Sequence, residues 1–422
     1  MATLFRRGGH EPPQVPEAGI PVDRIVAERL VTAHFQPIVH LDTREVVAFE
    51  ALARGPAGTV LERPDALFAA AASAGLAWEL DTIVRVAAFR AALDADLHPS
   101  VSLFVNADPA SVGRPVPPEL VGTLAEALSR LRVFLDISER ALGSSPAATL
   151  IGIERARSTG WGISLDNVGL TADSLALMPF ARPDVVKVDV SLLHGDGHQR
   201  APRVLGAVTA HRERTGAVTL AAGIETAEHV RTARALGASY GQGFLFGRPE
   251  PLPKRTRNPV HPLPLIDSLP PVEADDTPFL VACAHGRAAP APRAVIEALA
   301  DDLEQRAALD QDPPVFLACL PAQHMMSGGP LAFLEVIARS ASFAAALCAE
   351  PPRHLPPGAL IHALDAADPL RAEWVTIVID PHRAVLLAAR GDAEDGTMSF
   401  RLTYDRSVVV RAARILMRRI TT

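Results

Sequence analysis

Aromatic side chains are few in this chain, 5% of 422 residues with two tyrosines and three tryptophans. Aliphatic packing must therefore build the core, and a site walled by aromatic platforms has little to draw on. Cysteine is scarcer still: Cys283, Cys319 and Cys348 stand far apart with no CxxC pair. That gives no disulfide framework, and the three read as small buried hydrophobes in a reducing cytoplasm. No run reaches the roughly 18 uninterrupted apolar residues of a membrane span. At the amino terminus Arg6 and Arg7 are followed by Gly and Pro rather than an apolar stretch, so no signal peptide is expected. A soluble, cytoplasmic chain is the expectation. The net charge of −7, with acids and bases interspersed, argues against non-specific nucleic-acid binding and against a basic membrane patch.

What is present is a large apolar content, 48% of the chain, and a length that suits two domains. Residues 1–20 are rich in Pro, Gly and charge and are expected to be disordered. From about residue 30, short β-branched runs alternate with longer Ala/Leu-rich stretches of helical period. The strand candidates are EVVAFEAL, VSLFVN, RVFLDIS, GISLD, DVVKVD, AVTLAAGIE and SYGQGFLFG; the helix candidates include LDTIVRVAAFRAALDAD, PPELVGTLAEALSRL and RVLGAVTAHRERTG. This repeated βα punctuation predicts a (β/α)8-type barrel over residues 21–252. Residues 253–276 are dense in proline and read as an extended linker. A smaller α/β domain is expected over 277–422. Its expected elements are strands FLVACA and VFLACL around the helix RAVIEALADDLEQRAAL, then a helix LAFLEVIARSASFAAALC. A hairpin WVTIVID/RAVLLAAR turning at Pro381-His382, a strand MSFRLTYD and a closing helix RSVVVRAARILMRRI follow.

In a parallel βα barrel, function sits at the carboxyl ends of the strands. VVAFE ends on Glu50, LFVN on Asn106, VFLD on Asp136 and GISLD on Asp166; VVKVD carries Lys187 and Asp189, TLAAGIE ends on Glu225 and SYGQ on Gln242. Glu, Asn, Asp and Asp form a hard, all-oxygen donor set suited to Mg2+ or Mn2+. Crowded carboxylates need such a cation, and so does a phosphate ligand, so metal-assisted phosphodiester hydrolysis is one reaction class. Each acid alone is more often a cap or loop anchor, Asp189 included. A glycosidase barrel with two flanking carboxylates stays open on this pattern, although it leaves Asn106 and Lys187 without a role.

At these residues the chain resembles the EAL family of cyclic di-GMP phosphodiesterases. The matching strings run in the family's order over residues 30–252: Gln36-Pro37-Ile38-Val39, Glu50-Ala51-Leu52 with Arg54, FVNADP, LDISE, LDNVG, PDVVKVD, AAGIET and YGQGFLFGRP. The resemblance implies a modified barrel with one antiparallel strand, and a homodimer. It implies a first metal at Glu50, Asn106, Asp136 and Asp166, and a second shared by Asp166 and its neighbour. Lys187 and Glu225 fall where the family orients and activates the attacking water, Glu225 as base. Gln36, Leu52, Arg54 and Gln242 fall on ligand or site-organising positions, and Glu139 where the family anchors its mobile loop. Three departures stand out. Asn167 replaces the second acid of an Asp-Asp pair, Ala222 replaces a Glu, and Asp136 replaces a Glu, shorter by one methylene and so requiring a shift of ~1 Å. The loop VGLTADSL also departs from the family's pattern. The resulting expectation is a cyclic di-GMP receptor with weakened or lost hydrolysis. The alternatives are a working phosphodiesterase yielding pGpG, or a scaffold that has lost the ligand. No GGDEF-like string occurs.

TIVIDPHRAVLLAAR and FRLTYDRSVVVRAARILMRRI resemble the DICT sensory domains of bacterial signalling proteins, which implies an input or interaction role with an unknown partner or signal. Tyr404-Asp405-Arg406 reads either as a polar cluster or as a strand end followed by a helix cap at Asp405. His194 and His198, separated by Gly195 and Gly197, read as a solvent loop, and His324-Met325-Met326 as a loop before a helix.

Overall fold

The computed structural model describes residues 19–420 apart from 113, 170–174, 194–198, 255, 310–311, 321–328, 352–359 and 392–395. The expectations for residues 1–18, for His194 and His198, and for His324-Met325-Met326 fall outside this set.

Eight strands close into a barrel in chain order: β1 (Thr32–His40), β2 (Val46–Arg54), β3 (Ser102–Asn106), β4 (Arg132–Ser138), β5 (Gly162–Asp166), β6 (Val185–Asp189), β7 (Val218–Ala222) and β8 (Tyr240–Gln242). β1 runs antiparallel to both β2 and β8, while β2 to β8 pair in parallel. The fold is thus a modified (β/α)8 barrel. β1 has no counterpart among the strand candidates, because Pro37 and flanking polar residues obscure its alternation. The barrel helices are α1 (Val22–Glu28), α2 (Pro64–Ser73), α3 (Ala77–Asp94), α4 (Pro118–Arg130), α5 (Glu139–Ser144), α6 (Pro146–Ser158), α7 (Met178–Ala181), α8 (Ala201–Thr215) and α9 (Ala227–Ala235).

Strand alternation sorts the two apolar layers. On β3, Leu103 and Val105 pack outward in the main apolar cluster. Phe104 points inward, stacked on Phe134 with centroids 4.9 Å apart. The inner cluster takes in Leu263, which is 1% exposed and belongs to the proline-dense segment. That segment carries no helix or strand among its described residues. It is not a free spacer, however: Arg132 Nη2 donates to Leu263 O at 2.6 Å, and Ile266 N donates to Asp184 Oδ1 at 2.7 Å. It straps the lower end of the barrel and carries the chain to the second domain.

The second domain is a seven-stranded mixed sheet in the order β12-β11-β10-β13-β14-β15-β9. Its strands are β9 (Ala289–Pro292), β10 (Val315–Leu320), β11 (Phe343–Cys348), β12 (Leu360–Ala363), β13 (Glu373–Ile379), β14 (Ala384–Arg390) and β15 (Thr397–Thr403). The helices are α10 (Pro278–Ala284), α11 (Arg293–Leu309), α12 (Gly329–Ile337) and α13 (Arg406–Met417). Both sheet faces are apolar and covered. Val375, Ile377 and Ile379 of β13 face α13, while Trp374 and Val378 share a cluster with α11 and α12. The hairpin turning at Pro381-His382 is present.

Two expected elements are corrected here. FLVACA is helix α10, not a strand: Thr277 accepts Leu280 N as N-cap and Pro278 occupies the first turn, and these start signals outweigh a short apolar run. LAFLEVIARSASFAAALC is not one helix. It splits into α12 and β11, because FAAALC is buried on both faces between β10 and β12, and tertiary burial overrides alanine's helix propensity.

α13 packs against α6 and α7 of the barrel. Leu150 and Phe180 of the barrel and Ile415 and Leu416 of α13 belong to one continuous apolar cluster. Arg414 bonds Glu154 at 2.6 Å, Arg411 bonds Asp276 at 3.1 Å, and Arg214 on α8 donates to Pro381 O at 3.0 Å.

Candidate functional site

Strand direction brings the carboxyl ends of β2 to β8 to one rim. Gln36 on β1 is the register partner of Glu50, and Asn106 that of Asp136; Ser138 pairs with Asp166. The last arc of the rim depends on Gly243. A Cβ there would lie 2.0 Å from Ile224 O. The bare backbone lets Ile224 N donate to Gln242 O at 2.9 Å and Leu245 N to Ile224 O at 3.0 Å. This close approach sets the turn carrying Glu225 beside Gln242.

A single network joins eight of the sequence-selected residues. The Lys187 ammonium lies 2.6 Å from Asp136 Oδ2, 3.2 Å from Glu50 Oε1 and 3.3 Å from Asp166 Oδ1. Asn106 Nδ2 donates to Glu50 Oε1 at 3.1 Å, and Gln242 Nε2 donates to Glu50 Oε2 at 2.5 Å and to Gln36 Oε1 at 3.0 Å. Gln36 in turn donates to Gly247 O at 3.2 Å. Asn167 is held with a left-handed φ of 61°, and its amide Nδ2 donates to Asp166 Oδ2 at 2.7 Å.

The electrostatics follow from burial and crowding. Burial works to raise the Glu50 carboxyl, but the Lys187 charge and the bonds from Gln242 and Asn106 outweigh it and hold Glu50 low. Burial, with the Asp166 and Glu50 charges added, pushes Asp136 up to about 7 despite Lys187. Burial disfavours the Lys187 charge, yet the three surrounding carboxylates raise it well above the usual lysine range. One ammonium thus faces three acids, with Glu225 exposed nearby.

As they stand, no three acidic, His or Cys side chains among the described residues converge on a point that an ion could occupy; the Lys187 ammonium holds that place. The donor chemistry still fits a hard cation. All the donors are oxygens, and Asp136 Oδ1 and Gln242 Oε1 are buried without a hydrogen-bond partner.

Two cavities open at the rim. One of 270 Å³ is lined by Gln36, Glu50, Asp166, Asn167, Lys187, Ala222, Glu225 and Gln242. The other, of 800 Å³, brings Leu52 together with Glu50, Asn106 and Asp136. Arg54 lines neither cavity; it donates to Ala53 O at 2.7 Å. Glu139 opens α5, and its side chain lies outside the described residues. Asp189 caps the turn that follows, accepting Ser191 N at 2.7 Å, so the simpler reading of that acid holds.

Sequence reading missed the wall of the larger cavity. Asp81 and Arg85 on α3, 2.8 Å apart and buried, bond Ser111, and Asp108 N donates to Asp81 Oδ1 at 3.2 Å. This pair ties α3 to the loop that leaves Asn106. Its signal was available: two opposite charges four residues apart in an otherwise apolar helix face. Trp78 lines the same cavity.

Closure in chain order with an antiparallel first strand, and acids and amides gathered on one rim, define a modified (β/α)8 barrel with a polar rim site. The model of the EAL domain matches residues 23–249, and the chain belongs to the EAL domain family. An uncharacterized signaling protein of Caulobacter vibrioides is 29% identical over 233 residues, covering 54% of this chain and 28% of that protein. Cyclic di-GMP phosphodiesterase NbdA of Pseudomonas aeruginosa is 31% identical over 228 residues, covering 52% of this chain and 29% of that one. The chain therefore spans less than a third of the length of these two curated relatives. Among solved structures, Klebsiella pneumoniae BlrP1 in a manganese/cy-diGMP complex is 27% identical with a TM-score of 0.45, covering 52% of this chain and 56% of that one.

Proposed function

We propose that the barrel is a cyclic di-GMP receptor whose rim holds the dinucleotide and a divalent cation, Mg2+ or Mn2+, with hydrolysis weakened or lost. Glu50, Asn106, Asp136 and Asp166 would hold the cation. When bound, such an ion neutralises phosphate charge and acidifies a water. Gln36, Leu52, Arg54 and Gln242 are the ligand or site-organising residues, Lys187 orients the water and the acids, and Glu225 is the proton acceptor. The second domain is a DICT-like input or interaction module. The protein works in the cytoplasm, a setting that suits its three free cysteines.

The observation that carries the reading is the Asn167 amide, which donates to Asp166 Oδ2 at 2.7 Å. An acid at this place would add a charged acceptor for a second cation. The amide instead spends a donor on Asp166, and Ala222 contributes no side-chain oxygen to the same cavity. Losing several kcal/mol of cation-derived stabilisation lowers the rate by about two to four orders of magnitude. The second reading, an active phosphodiesterase yielding pGpG, is favoured by the gathering of Glu50, Asp166, Lys187, Glu225 and Gln242 around one cavity.

The test incubates purified protein with cyclic di-GMP and Mn2+ or Mg2+, follows linear product, and measures binding by calorimetry with Ca2+. The receptor reading expects binding without rapid turnover, and a gain of about 10²–10⁴ in rate for Asn167→Asp. Rapid turnover by the unmodified protein, abolished in Glu50→Ala, would make it a phosphodiesterase. Neither binding nor turnover would leave a scaffold.

A further inference from the structure

A third cavity, away from the rim, lies at the seam between the barrel and the second domain. It encloses 230 Å³ and is walled by α6, by α7 with its cap residue Arg182, by the strap, and by α13. Three arginines line it, Arg157, Arg182 and Arg414, with one acidic residue, Glu154.

These three arginines are not equally occupied. Arg157 is committed: it pairs with Asp184 at 2.7 Å and donates to Arg182 O at 2.8 Å. Arg414 is 3% exposed; it pairs with Glu154 at 2.6 Å and donates to Pro270 O at 3.3 Å, yet its Nε is buried with no partner. Arg182 Nε is likewise buried with no partner, and no ion pair of Arg182 occurs among the described residues. Buried donors of a charged group are rarely left without an acceptor. Glu154 is already shared, since Arg418 also approaches it at 3.4 Å. The seam therefore leaves two guanidinium Nε groups, those of Arg182 and Arg414, without an acceptor.

The remaining wall is mainly apolar, with Ile153, Phe180 and Leu269, and is completed by Ser158 and Ser268. A concave site with apolar walls and a few converging charged groups is the usual form of a small-molecule pocket. At 230 Å³ it lies below the ~300–1,000 Å³ typical of such pockets, so its occupant is small.

We propose that this seam cavity binds a small molecule carrying an oxyanion, a carboxylate or phosphate on a short apolar body, through Arg182 and Arg414. The planar guanidinium suits such groups, accepting a two-oxygen ligand on adjacent N–H donors. An occupant would touch both domains at once. It would also lie against α7, the first described helix after the Asp166–Asn167 rim turn. The site is separate from the rim and does not depend on what the rim binds.

The test uses the full chain, with benzoate and inorganic phosphate as probes at constant ionic strength set by chloride, and benzamide as the uncharged control. Calorimetry and thermal unfolding are read together. At least one anion should bind saturably and raise Tm, while benzamide should not. Arg182→Gln, which breaks no ion pair among the described residues, should weaken that binding at least tenfold. Glu154→Gln removes the carboxylate that competes for Arg414 and should tighten it several-fold, an effect a merely structural role would not produce. Glu50→Gln, at the rim, should leave it unchanged. The proposal is overturned if neither anion binds saturably, if Arg182→Gln binds as tightly as the unmodified protein, or if Glu50→Gln abolishes the binding.

Discussion

The barrel and the second domain both bury charge, but they satisfy it differently. At the barrel rim, three carboxylates share one ammonium, and two buried oxygens keep no partner. In the second domain the buried acids answer mainly to backbone. Glu373, 0% exposed, accepts Phe279 N at 3.0 Å, although its Oε1 keeps no partner. Asp380 accepts His382 N at 2.8 Å and Arg383 N at 2.6 Å, fixing the hairpin turn. An acid that answers to N–H groups of its own fold is structural. Acids that crowd around one shared ammonium leave coordination to spare, and that surplus is what marks a site.

The comparison is broken most severely at Lys187. Lys187→Met leaves Glu50, Asp136 and Asp166 buried together without their shared cation. Removing one partner of a buried pair costs about 3–5 kcal/mol, read by urea unfolding. Excess Mg2+ should recover part of that loss by binding the folded state alone. If Mg2+ recovers nothing, the rim acids are only a structural knot like those of the second domain.

A smaller effect is expected at the seam where the two regions meet. His211 on α8 is 2% exposed. Burial lowers it from 6.5 to about 4, with the Arg214, Arg182 and Arg406 charges adding to the effect and the Pro183 carbonyl opposing it. The native imidazole is therefore neutral. Above pH 6.5 neither state binds a proton there. As pH falls from 6.5 towards 4 the unfolded chain takes up a proton that the native state refuses, and stability is lost, by about 3 kcal/mol in total. His211→Gln should flatten this part of the stability–pH curve. An unchanged slope would show that His211 is not the group being titrated.

The two regions also differ in how much of them could be read from the amino acids. Barrel strands announce themselves because each ends an apolar run on a polar residue, and closure then gathers those ends; Glu50, Asn106, Asp136, Asp166 and Lys187 meet for that reason alone. What escaped was β1, masked by Pro37, and the Asp81–Arg85 pair, which acts through Ser111 and Asp108 on a different element. In the second domain such endings occur in the hairpin, where WVTIVID ends on Asp380 and AVLLAAR on Arg390, but not at FLVACA or FAAALC. FLVACA and FAAALC are short apolar runs of similar composition, one helix and one strand. What separates them is a cap and Pro at the first turn in one case and neighbouring strands on both sides in the other, and only the cap is local in sequence.

The mildest test concerns Tyr404-Asp405-Arg406, the one polar triplet of the second domain that competed with the rim for a functional reading. Asp405 Oδ1 accepts Ser407 N at 2.9 Å, Val408 N at 3.3 Å and the Ser407 hydroxyl at 2.6 Å, and the Ser407 hydroxyl bond is the main reason its carboxyl lies low. Arg406 donates to Arg383 O and Asp380 O at 3.1 and 2.8 Å, pinning the helix start to the hairpin turn. Both side chains are therefore occupied in starting α13. Asp405→Ala should cost about 1 kcal/mol, as the loss of an N-cap does, and Asp405→Asn, which keeps an accepting oxygen, should cost less. Neither should alter binding at the rim, because α13 meets the barrel through Arg414 and its apolar face, more than two turns from the cap. If Asp405→Asn matched Asp405→Ala in stability yet changed ligand affinity at the barrel, the charge itself would be passing between the domains, and the division between a chemical barrel and a structurally satisfied second domain would fail.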